Sequence, residues 1–211
     1  MLGHDLLVAY SDRHDVKVTL RNNLKEYDRY NLFTRENSFD GIDIRSTDNV
    51  KSVLKKFSPD VVINATGIVK QRDEASSFIP SIEINALFPH KLNVICGESG
   101  SRLIHMSTDC VFSGKKGNYT EDDFADADDL YGRSKFLGEV TSDNCITIRS
   151  SIIGLELQHK KSLIEWFLSQ KGEIRGFRKA IYTGLTTMEM ARVIERILLE
   201  YTGLNGIYHI A

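Results

Sequence analysis

A tyrosine and a lysine, four residues apart, could carry out proton chemistry in this chain. Tyr131 and Lys135 form a Tyr-x-x-x-Lys pattern within a segment whose apolar spacing predicts a helix. Residues four apart share one face of a helix, so the ammonium group can lie beside the phenol. A cation about 4 Å away, at an effective dielectric constant of about 20, contributes about 4 kcal/mol, or roughly three pKa units. The spacing therefore predicts that the pKa of Tyr131 falls towards neutrality and that Tyr131 donates a proton.

Polar residues also follow one of the predicted strands. Residues 102–107 (RLIHMS) read as a strand, and Thr108 comes at its carboxyl end. Ligands bind at the carboxyl ends of the strands in open α/β sheets. A hydroxyl group in this position could hydrogen-bond the carbonyl group of a substrate.

The elements that must position these groups alternate between strands and helices. Residues 61–66 form a continuous β-branched run, which is typical of a parallel strand covered on both faces. The remaining pattern predicts strands at 16–20, 102–107, 145–149 and 206–210, and helices at 48–57, 82–97, 161–171 and 187–201. This order predicts a doubly wound α/β fold with a mostly parallel sheet, in which strands 61–66 and 102–107 are adjacent and central.

The composition excludes several classes of protein. The 211 residues include 27 Lys+Arg and 29 Asp+Glu, which gives a formal net charge of −2. Binding to nucleic acid or to an anionic membrane surface needs clustered positive charge, so we expect neither partner. No apolar run reaches the roughly 18 residues of a membrane span, and the amino terminus lacks a signal-peptide pattern, so we expect a cytoplasmic protein.

The cysteines and histidines predict neither a metal site nor a disulfide framework. Cys96, Cys110 and Cys145 have spacings that fit neither a CxxC pair nor a zinc site, and their number suits a reducing compartment. The six histidines show no HxxxH or HxH pairing.

Three sequence blocks together resemble a known family. STDCVFSG, NYTEDD and YGRSKFLGE occur in the order and spacing of the extended short-chain dehydrogenase/reductase superfamily, and the chain most resembles its dTDP-4-dehydrorhamnose reductase family. Further similar stretches are PDVVINATG at 59–67, Ile84-Asn85, and YTGLTTMEMA at 182–191. The resemblance covers essentially the whole chain.

The resemblance implies NAD(P)-dependent reduction of a sugar nucleotide. A Rossmann-like domain at 1–153 would bind NADPH, with NADH as an alternative, and 154–211 would form part of a small interleaved substrate lobe with a returning Rossmann segment. A hydride would reach the 4-keto group of a nucleotide-linked hexose. Thr108 would orient the carbonyl group and Tyr131 would protonate its oxygen. Lys135 would acidify Tyr131 and hold the nicotinamide ribose.

Matching positions imply further site residues. Arg21 would face a ribose 2′-phosphate, as an NADPH site requires. The implied cofactor residues are Gly3, Arg21, Asp43, Ile44, Asn64, Ala65, Thr66, Gly67, Asn85, Ser107 and Lys135. The implied substrate residues are Thr108, Asp109, Val111, Phe112 and Arg149, and no metal is implied.

Structural roles compete with some of these assignments. Asp43 could cap a turn, Asn64 could satisfy backbone groups in a loop, and Arg21 could be one more solvated charge. A basic group that could bind a sugar-nucleotide diphosphate is better explained as a solvated face; it comprises Lys171, Arg175, Arg178 and Lys179.

The chain departs from the family pattern at its amino terminus. Of the glycine turn that lets the backbone approach a pyrophosphate, only the last glycine is present, as Gly3. We therefore expect the first strand and the earlier glycines to be encoded upstream of Met1, with a truncated pseudoenzyme as the alternative. We expect the 211 residues alone to bind the cofactor weakly or not at all. Cys110 replaces a usual tyrosine, and Ala127 replaces a usual proline, which is expected to loosen its loop.

Two other classes of function stay open. Some members of the family are non-catalytic regulatory subunits, and a missing glycine turn would suit that role, whereas retention of Thr108, Tyr131 and Lys135 favours catalysis. Sugar epimerases and dehydratases share the fold, and a homodimer is a possible assembly.

Overall fold

Four parallel strands form the main sheet of the protein. The computed structural model describes residues 1–70 and 76–211. The strands are β3 (Val61–Asn64), β4 (Arg102–Met106), β5 (Cys145–Arg149) and β8 (Gly206–His209). They lie in this spatial order, and each neighbouring pair is parallel. The carboxyl ends of these strands therefore meet at one edge of the sheet.

Two further strand pairs are short and also parallel. β1 (Val18–Thr19) pairs with β2 (Ser38–Phe39). β6 (Ile152–Ile153) pairs with β7 (Leu185–Thr186).

Helices cover both faces of the main sheet. They are α1 (Leu2–Tyr10), α2 (Thr47–Phe57), α3 (Phe78–Ser81), α4 (Phe88–Ser99), α5 (Leu130–Leu137), α6 (Leu163–Ser169) and α7 (Thr187–Glu200). Ile104 and Ile146 belong to the core shared with α1 and α7, whereas Leu103 and Cys145 belong to the core shared with α2 and α4. Successive strand residues point to opposite faces, so a strand covered on both sides buries neighbouring positions, as β4 does from Leu103 to Met106.

The ends of α2 follow from its sequence. The Ser46 hydroxyl accepts a hydrogen bond from the Asn49 N–H at 3.4 Å, which caps the first turn. Ser58 ends the helix in the left-handed conformation with φ 51°, and Pro59 follows it. Val50, Val53 and Leu54 form the buried face of the helix.

A π-helical turn interrupts the long helix that precedes β4. α3, the π turn at 82–87 and α4 follow one another without a break. In a regular α-helix the N–H of residue 89 would bond the Asn85 carbonyl oxygen, but Pro89 has no N–H. The Phe88 N–H instead bonds the carbonyl oxygen of Glu83, five residues back. Proline at this position therefore accounts for the wider turn.

The structure confirms the predicted doubly wound α/β fold and corrects one part of it. β3 and β4 are adjacent and parallel, as predicted, and β4 lies inside the main sheet. The prediction that both strands are central is wrong for β3, which lies at one end of the sheet. β1 and β2 pair with each other and not with β3, so β3 has a hydrogen-bonded neighbour on one side only among the strands that the structure describes. A groove of about 70 Å³ lined by Thr19, Val62 and Phe88 lies beside it.

Residues 1–70 and 76–211 contain no helix long and apolar enough to cross a membrane. The same residues hold no group of three or more His, Cys, Asp or Glu that could bind a metal ion. Cys96, Cys110 and Cys145 are free.

Candidate active site

The loop after β4 places a threonine hydroxyl at the carboxyl edge of the sheet. Thr108 is 5% exposed and begins a 3₁₀ turn at 109–111, whose first N–H groups need acceptors. The Thr108 hydroxyl oxygen accepts the Cys110 N–H at 3.1 Å, and its O–H donates to Asp109 Oδ1 at 3.2 Å. The hydroxyl is therefore held in place by its own loop.

α5 carries the tyrosine and the lysine and packs closely on this loop. Asp129 caps the helix, because its Oδ1 accepts the Gly132 N–H at 2.8 Å. Lys70 donates to Asp129 Oδ2 at 2.6 Å, which joins the loop after β3 to the start of the helix. A Cβ atom at Gly132 would overlap the Cys110 carbonyl oxygen, so only glycine permits this approach.

Tyr131 lies against Thr108, but its ionisation is shifted in the direction opposite to the prediction. Burial raises the pKa of Tyr131 to about 12, and a hydrogen bond with the Thr108 side chain opposes this only in part. The predicted fall of the Tyr131 pKa is wrong, because loss of water destabilises the phenolate more than its neighbours stabilise it. The Lys135 ammonium group donates to the Met106 carbonyl oxygen at 2.7 Å.

Lys135 is a buried cation beside the loop that follows β3. The residue is 5% exposed, and burial lowers its pKa to about 8, although the charge of Glu139 acts in the opposite direction. A Cβ atom at Gly67 would lie 3.9 Å from Lys135 Nζ. The structure thus brings together Gly67, Lys135, Tyr131 and Thr108.

Two asparagine side chains shape the loop after β3. Asn64 accepts the Thr66 N–H at 3.1 Å and donates to His105 Nδ1 at 3.1 Å. Asn85 accepts the Ile68 N–H at 2.8 Å and donates to the Ile68 carbonyl oxygen at 3.0 Å. It also donates to the Ser134 hydroxyl at 3.2 Å, which ties the loop to α5. Asn64 and Asn85 therefore hold the loop, whereas Ala65 and Thr66 are exposed.

The remaining predicted cofactor residues lie near the ends of β1, β2 and α1. Asp43 pairs with Arg45 at 2.6 Å, and this hydrogen-bonded pair lowers the pKa of Asp43 to about 2, with a smaller contribution from the charge of Arg21. Arg21 is exposed and Ile44 packs against the core. Gly3, in the first turn of α1, has open space where a side chain would be.

The predicted substrate residues are divided between the surface and the interior. Asp109 is exposed and accepts a hydrogen bond from the Ser151 hydroxyl at 2.6 Å. Phe112 stacks on Tyr119, with ring centroids 4.3 Å apart. Val111 is fully buried, and Arg149 is buried in an ion pair. Ser107, predicted to contact the cofactor, also points its hydroxyl inwards, to Glu139.

Sequence reasoning missed several residues that support the site. Asp129 stands directly before a predicted helix, which is the usual place of an N-cap. Glu139 continues the four-residue spacing of Tyr131 and Lys135, and this spacing could have revealed it. A backbone hydrogen bond holds the loop at Ala127: its N–H donates to the Val111 carbonyl oxygen at 3.0 Å, a bond that proline cannot make. The basic residues Lys171, Arg175, Arg178 and Lys179 are all exposed.

Sequence comparison shows one matching family and several similar proteins. The family described as RmlD substrate binding domain matches residues 2–211. The dTDP-4-dehydrorhamnose reductase of Aggregatibacter actinomycetemcomitans is 28% identical over 181 residues, which cover 81% of this chain and 62% of that protein. The probable low-salt glycan biosynthesis reductase Agl14 of Haloferax volcanii is 33% identical over 181 residues, covering 81% and 60%. Methionine adenosyltransferase 2 subunit beta of Danio rerio is 33% identical over 98 residues, covering 44% and 28%.

The chain spans about 60% of the length of the curated reductases it matches.

Solved structures have the same fold. A hypothetical dTDP-4-dehydrorhamnose reductase from Sulfolobus tokodaii superposes with a TM-score of 0.80 at 27% identity, covering 100% of this chain and 72% of that one. The dTDP-4-dehydrorhamnose reductase of Bacillus anthracis, in complex with NADP, superposes with a TM-score of 0.71 at 22% identity, covering 93% and 73%.

Proposed function

Because the chain belongs to the RmlD substrate binding domain family, we propose that it reduces the 4-keto group of a nucleotide-activated sugar with NADPH. One observation carries the proposal. The side chains of Thr108 and Tyr131 lie together at the carboxyl edge of the main sheet, close enough for Thr108 to lower the pKa of the phenol, and Tyr131 shares its helix with Lys135. Two hydroxyl donors at one point suit the oxygen of a ketone.

The residues on the nicotinamide side fit a dinucleotide. The exposed loop at 65–67 follows β3 at the carboxyl edge, and Gly67 leaves room next to Lys135. Lys135 would hold the ribose and Gly3 would lie at the pyrophosphate, where a helix begins. NADPH, when bound, supplies the hydride that reduces the ketone.

Tyr131 is the proposed proton donor. With a pKa of about 12 it keeps its proton at neutral pH, so the phenol can hydrogen-bond the carbonyl oxygen and protonate it as negative charge develops there. Thr108 turns its O–H from Asp109 Oδ1 to the same oxygen, which gives the ketone a second hydrogen bond and so orients it. The Lys135 ammonium group, which is present below about pH 8, favours the phenolate that remains until solvent returns a proton.

Replacement of Tyr131 tests the proposal. Tyr131→Phe keeps the ring and its packing but removes the proton, so reduction should fall by about 10²- to 10⁴-fold while cofactor affinity is unchanged. Thr108→Val should give a rate between those of the wild type and Tyr131→Phe, because it loses one orienting hydrogen bond. The measurement is NADPH oxidation with a 4-keto sugar nucleotide, made on the full-length protein with any residues that its gene encodes outside positions 1–211. An unchanged rate in Tyr131→Phe would refute the assignment.

A regulatory subunit is the second candidate. The similarity to methionine adenosyltransferase 2 subunit beta favours it, because that protein is named as a subunit of an enzyme. This reading replaces the first if the full-length protein shows no turnover with 4-keto sugar nucleotides and binds a partner enzyme tightly in a pull-down followed by calorimetry.

A further inference from the structure

A buried ion pair lies behind the candidate site. The Glu139 carboxylate accepts two hydrogen bonds from Arg149, from Nε to Oε1 and from Nη2 to Oε2, each at 2.8 Å. The side chains of Glu139 and Arg149 are only 3% and 4% exposed. Glu139 stands two residues after α5, and Arg149 ends β5. The pair therefore joins the helix of Tyr131 and Lys135 to the main sheet.

The same carboxylate holds the start of the Thr108 loop. Ser107 donates its hydroxyl to Glu139 Oε1 at 2.8 Å and its N–H to the Ile148 carbonyl oxygen at 2.7 Å. Since Ser107 directly precedes Thr108, Glu139 fixes the backbone next to one reacting hydroxyl group. It fixes the helix that carries the other reacting hydroxyl group at the same point.

Arg149 extends this connection to β8 and to the loop after the 3₁₀ turn. Its Nη1 lies 3.2 Å from His209 Nε2 and donates to the Glu121 carbonyl oxygen at 3.4 Å. Its guanidinium group lies 5.1 Å from the centroid of the Phe112 ring. The pair is thus the centre of a network that includes three separate segments of the chain.

Stability alone does not explain charges at this place. Removing two charges from water costs several kcal/mol per ion, and an apolar pair of similar volume is often as stable or more stable. A bidentate carboxylate–guanidinium pair, in contrast, fixes the distance and the angle between the elements that carry it. The arrangement therefore favours a role in geometry.

Glu139 also acts on the charge of Lys135, which stands four residues before it. Burial lowers the pKa of Lys135, and the negative charge of Glu139 opposes that change. Tyr131 precedes Lys135 by one turn of the same helix, and His105 on β4 interacts electrostatically with Lys135. His105 is neutral at pH 7, because burial and the charges of Lys135 and His90 lower its pKa well below the usual value.

We propose that Glu139 is a positioning residue of the reductase site, which holds the Thr108 loop and the Lys135 helix in register and places a negative charge near the Lys135 ammonium group. The inference rests on the proposed function, because it assigns Glu139 a part in the same reaction.

Three variants of the full-length protein test the inference. Glu139→Gln removes the charge and keeps the shape, but leaves Arg149 buried without its counter-ion. Glu139→Gln/Arg149→Met removes both charges and should restore folding stability. Glu200→Gln makes the same chemical change in an exposed ion pair, with Arg196, and serves as the matched control. The measurements are the thermal unfolding midpoint, kcat and KM, and the NMR titration of the Lys135 Cε signal, assigned by its loss in Lys135→Met.

The expected results separate positioning from folding. Glu139→Gln should unfold at lower temperature, lower kcat by roughly 10- to 100-fold with little change in KM, and move the Lys135 titration to lower pH. The double variant should regain the unfolding midpoint, but neither the kcat nor the Lys135 titration of the wild type. Recovery of the wild-type kcat in the double variant, or a Lys135 titration that does not move in Glu139→Gln, would overturn the inference.

The two proposals fail in different ways. A wild-type protein without reductase activity refutes the proposed function, and the Lys135 titration then decides the role of Glu139 by itself. A titration that does not move in Glu139→Gln overturns that role, whatever the activity.

Discussion

Lys135 keeps a positive charge although its side chain is buried. Its ammonium group has a carbonyl oxygen as partner and a carboxylate farther along the chain, yet its pKa still falls from 10.5 to about 8. A fall of this size corresponds to about 3 kcal/mol of stability that the charged form lacks. The site therefore keeps the charge at the expense of the free energy of folding.

Lys135→Met should be more stable than the wild type at neutral pH, with a difference that shrinks as pH rises. The unfolded lysine titrates near 10.5 and the folded one near 8, so between these values the unfolded state binds more protons and wild-type stability rises with pH. The unfolding free energy of Lys135→Met should therefore exceed that of the wild type most below pH 8, and this excess should fall by about 3 kcal/mol between pH 8 and pH 10.5.

Urea unfolding of both proteins at pH 7, 8, 9 and 10 measures this difference. Lys70→Met is the control, because the hydrogen bond with Asp129 raises the pKa of Lys70. The difference in unfolding free energy between Lys70→Met and the wild type should therefore stay constant from pH 7 to 10. A constant difference for Lys135→Met would contradict the prediction.

Arg21 should decide between the two nicotinamide cofactors. It is exposed directly after β1, where a guanidinium group could bind a 2′-phosphate with about 1.5 to 3 kcal/mol. The full-length protein should therefore bind NADPH more tightly than NADH, and Arg21→Ala should remove the difference.

Calorimetry with both cofactors checks this, with the exposed Arg35→Ala as the control. Equal affinities in the unchanged protein would argue against the assignment.

At the scale of elements, α5 depends on two positions without side chains. Gly132 meets the 3₁₀ turn after Thr108, and Gly138 meets the Asn85 carbonyl oxygen in the π turn. Pro89 has no N–H to donate to that carbonyl oxygen, as residue 89 of a regular α-helix would, and α5 contacts the π turn at this point. The position of α5 is therefore set at both of its ends.

Gly138→Ala should destabilise the protein, because the new methyl group would overlap the Asn85 carbonyl oxygen. We expect a loss of about 1 to 3 kcal/mol together with a lower kcat, since α5 must move to make room. Gly97→Ala in α4 is the control: its Cβ would meet Asn144 Nδ2 at an ordinary 3.7 Å, and alanine should stabilise that helix by roughly 0.5 to 1 kcal/mol. The thermal unfolding midpoints of both variants, each compared with the wild type, measure these changes. Equal shifts of the midpoint in Gly138→Ala and Gly97→Ala would show that α5 tolerates the methyl group.

For the molecule as a whole, the strands were predictable where both faces are covered. The run at 61–66 starts with three apolar residues in succession, and the structure has β3 there. The strand at 145–149 is β5, which is buried at all five of its positions. The spatial order of the strands was harder to predict from the sequence. Whether β3 has a neighbour on each side depends on β1 and β2, which are two residues long and separated from it by a helix.

The candidate site was predictable as a set of residues and not as a set of interactions. The spacing of Tyr131 and Lys135 correctly placed both on α5, but spacing carries no information on how much water reaches a phenol. The family resemblance implies a substrate role for Arg149, and nothing in the sequence shows which carboxylate it faces. Its partner, Glu139, is ten residues away and reaches it only through the folding of β5 beside α5.

The end position of β3 has a consequence for how further strands can join the main sheet. Among the strands the structure describes, β3 has a hydrogen-bonded neighbour on one side only, and its sequence, Val-Val-Ile-Asn, carries no charge. Lysine, proline or a bulge at the edge of a natural sheet prevents pairing with another chain, and an edge without them is a template for such pairing. A further strand could therefore pair along β3, supplied either by residues of the same protein outside positions 1–211 or by the β-branched segment of another copy.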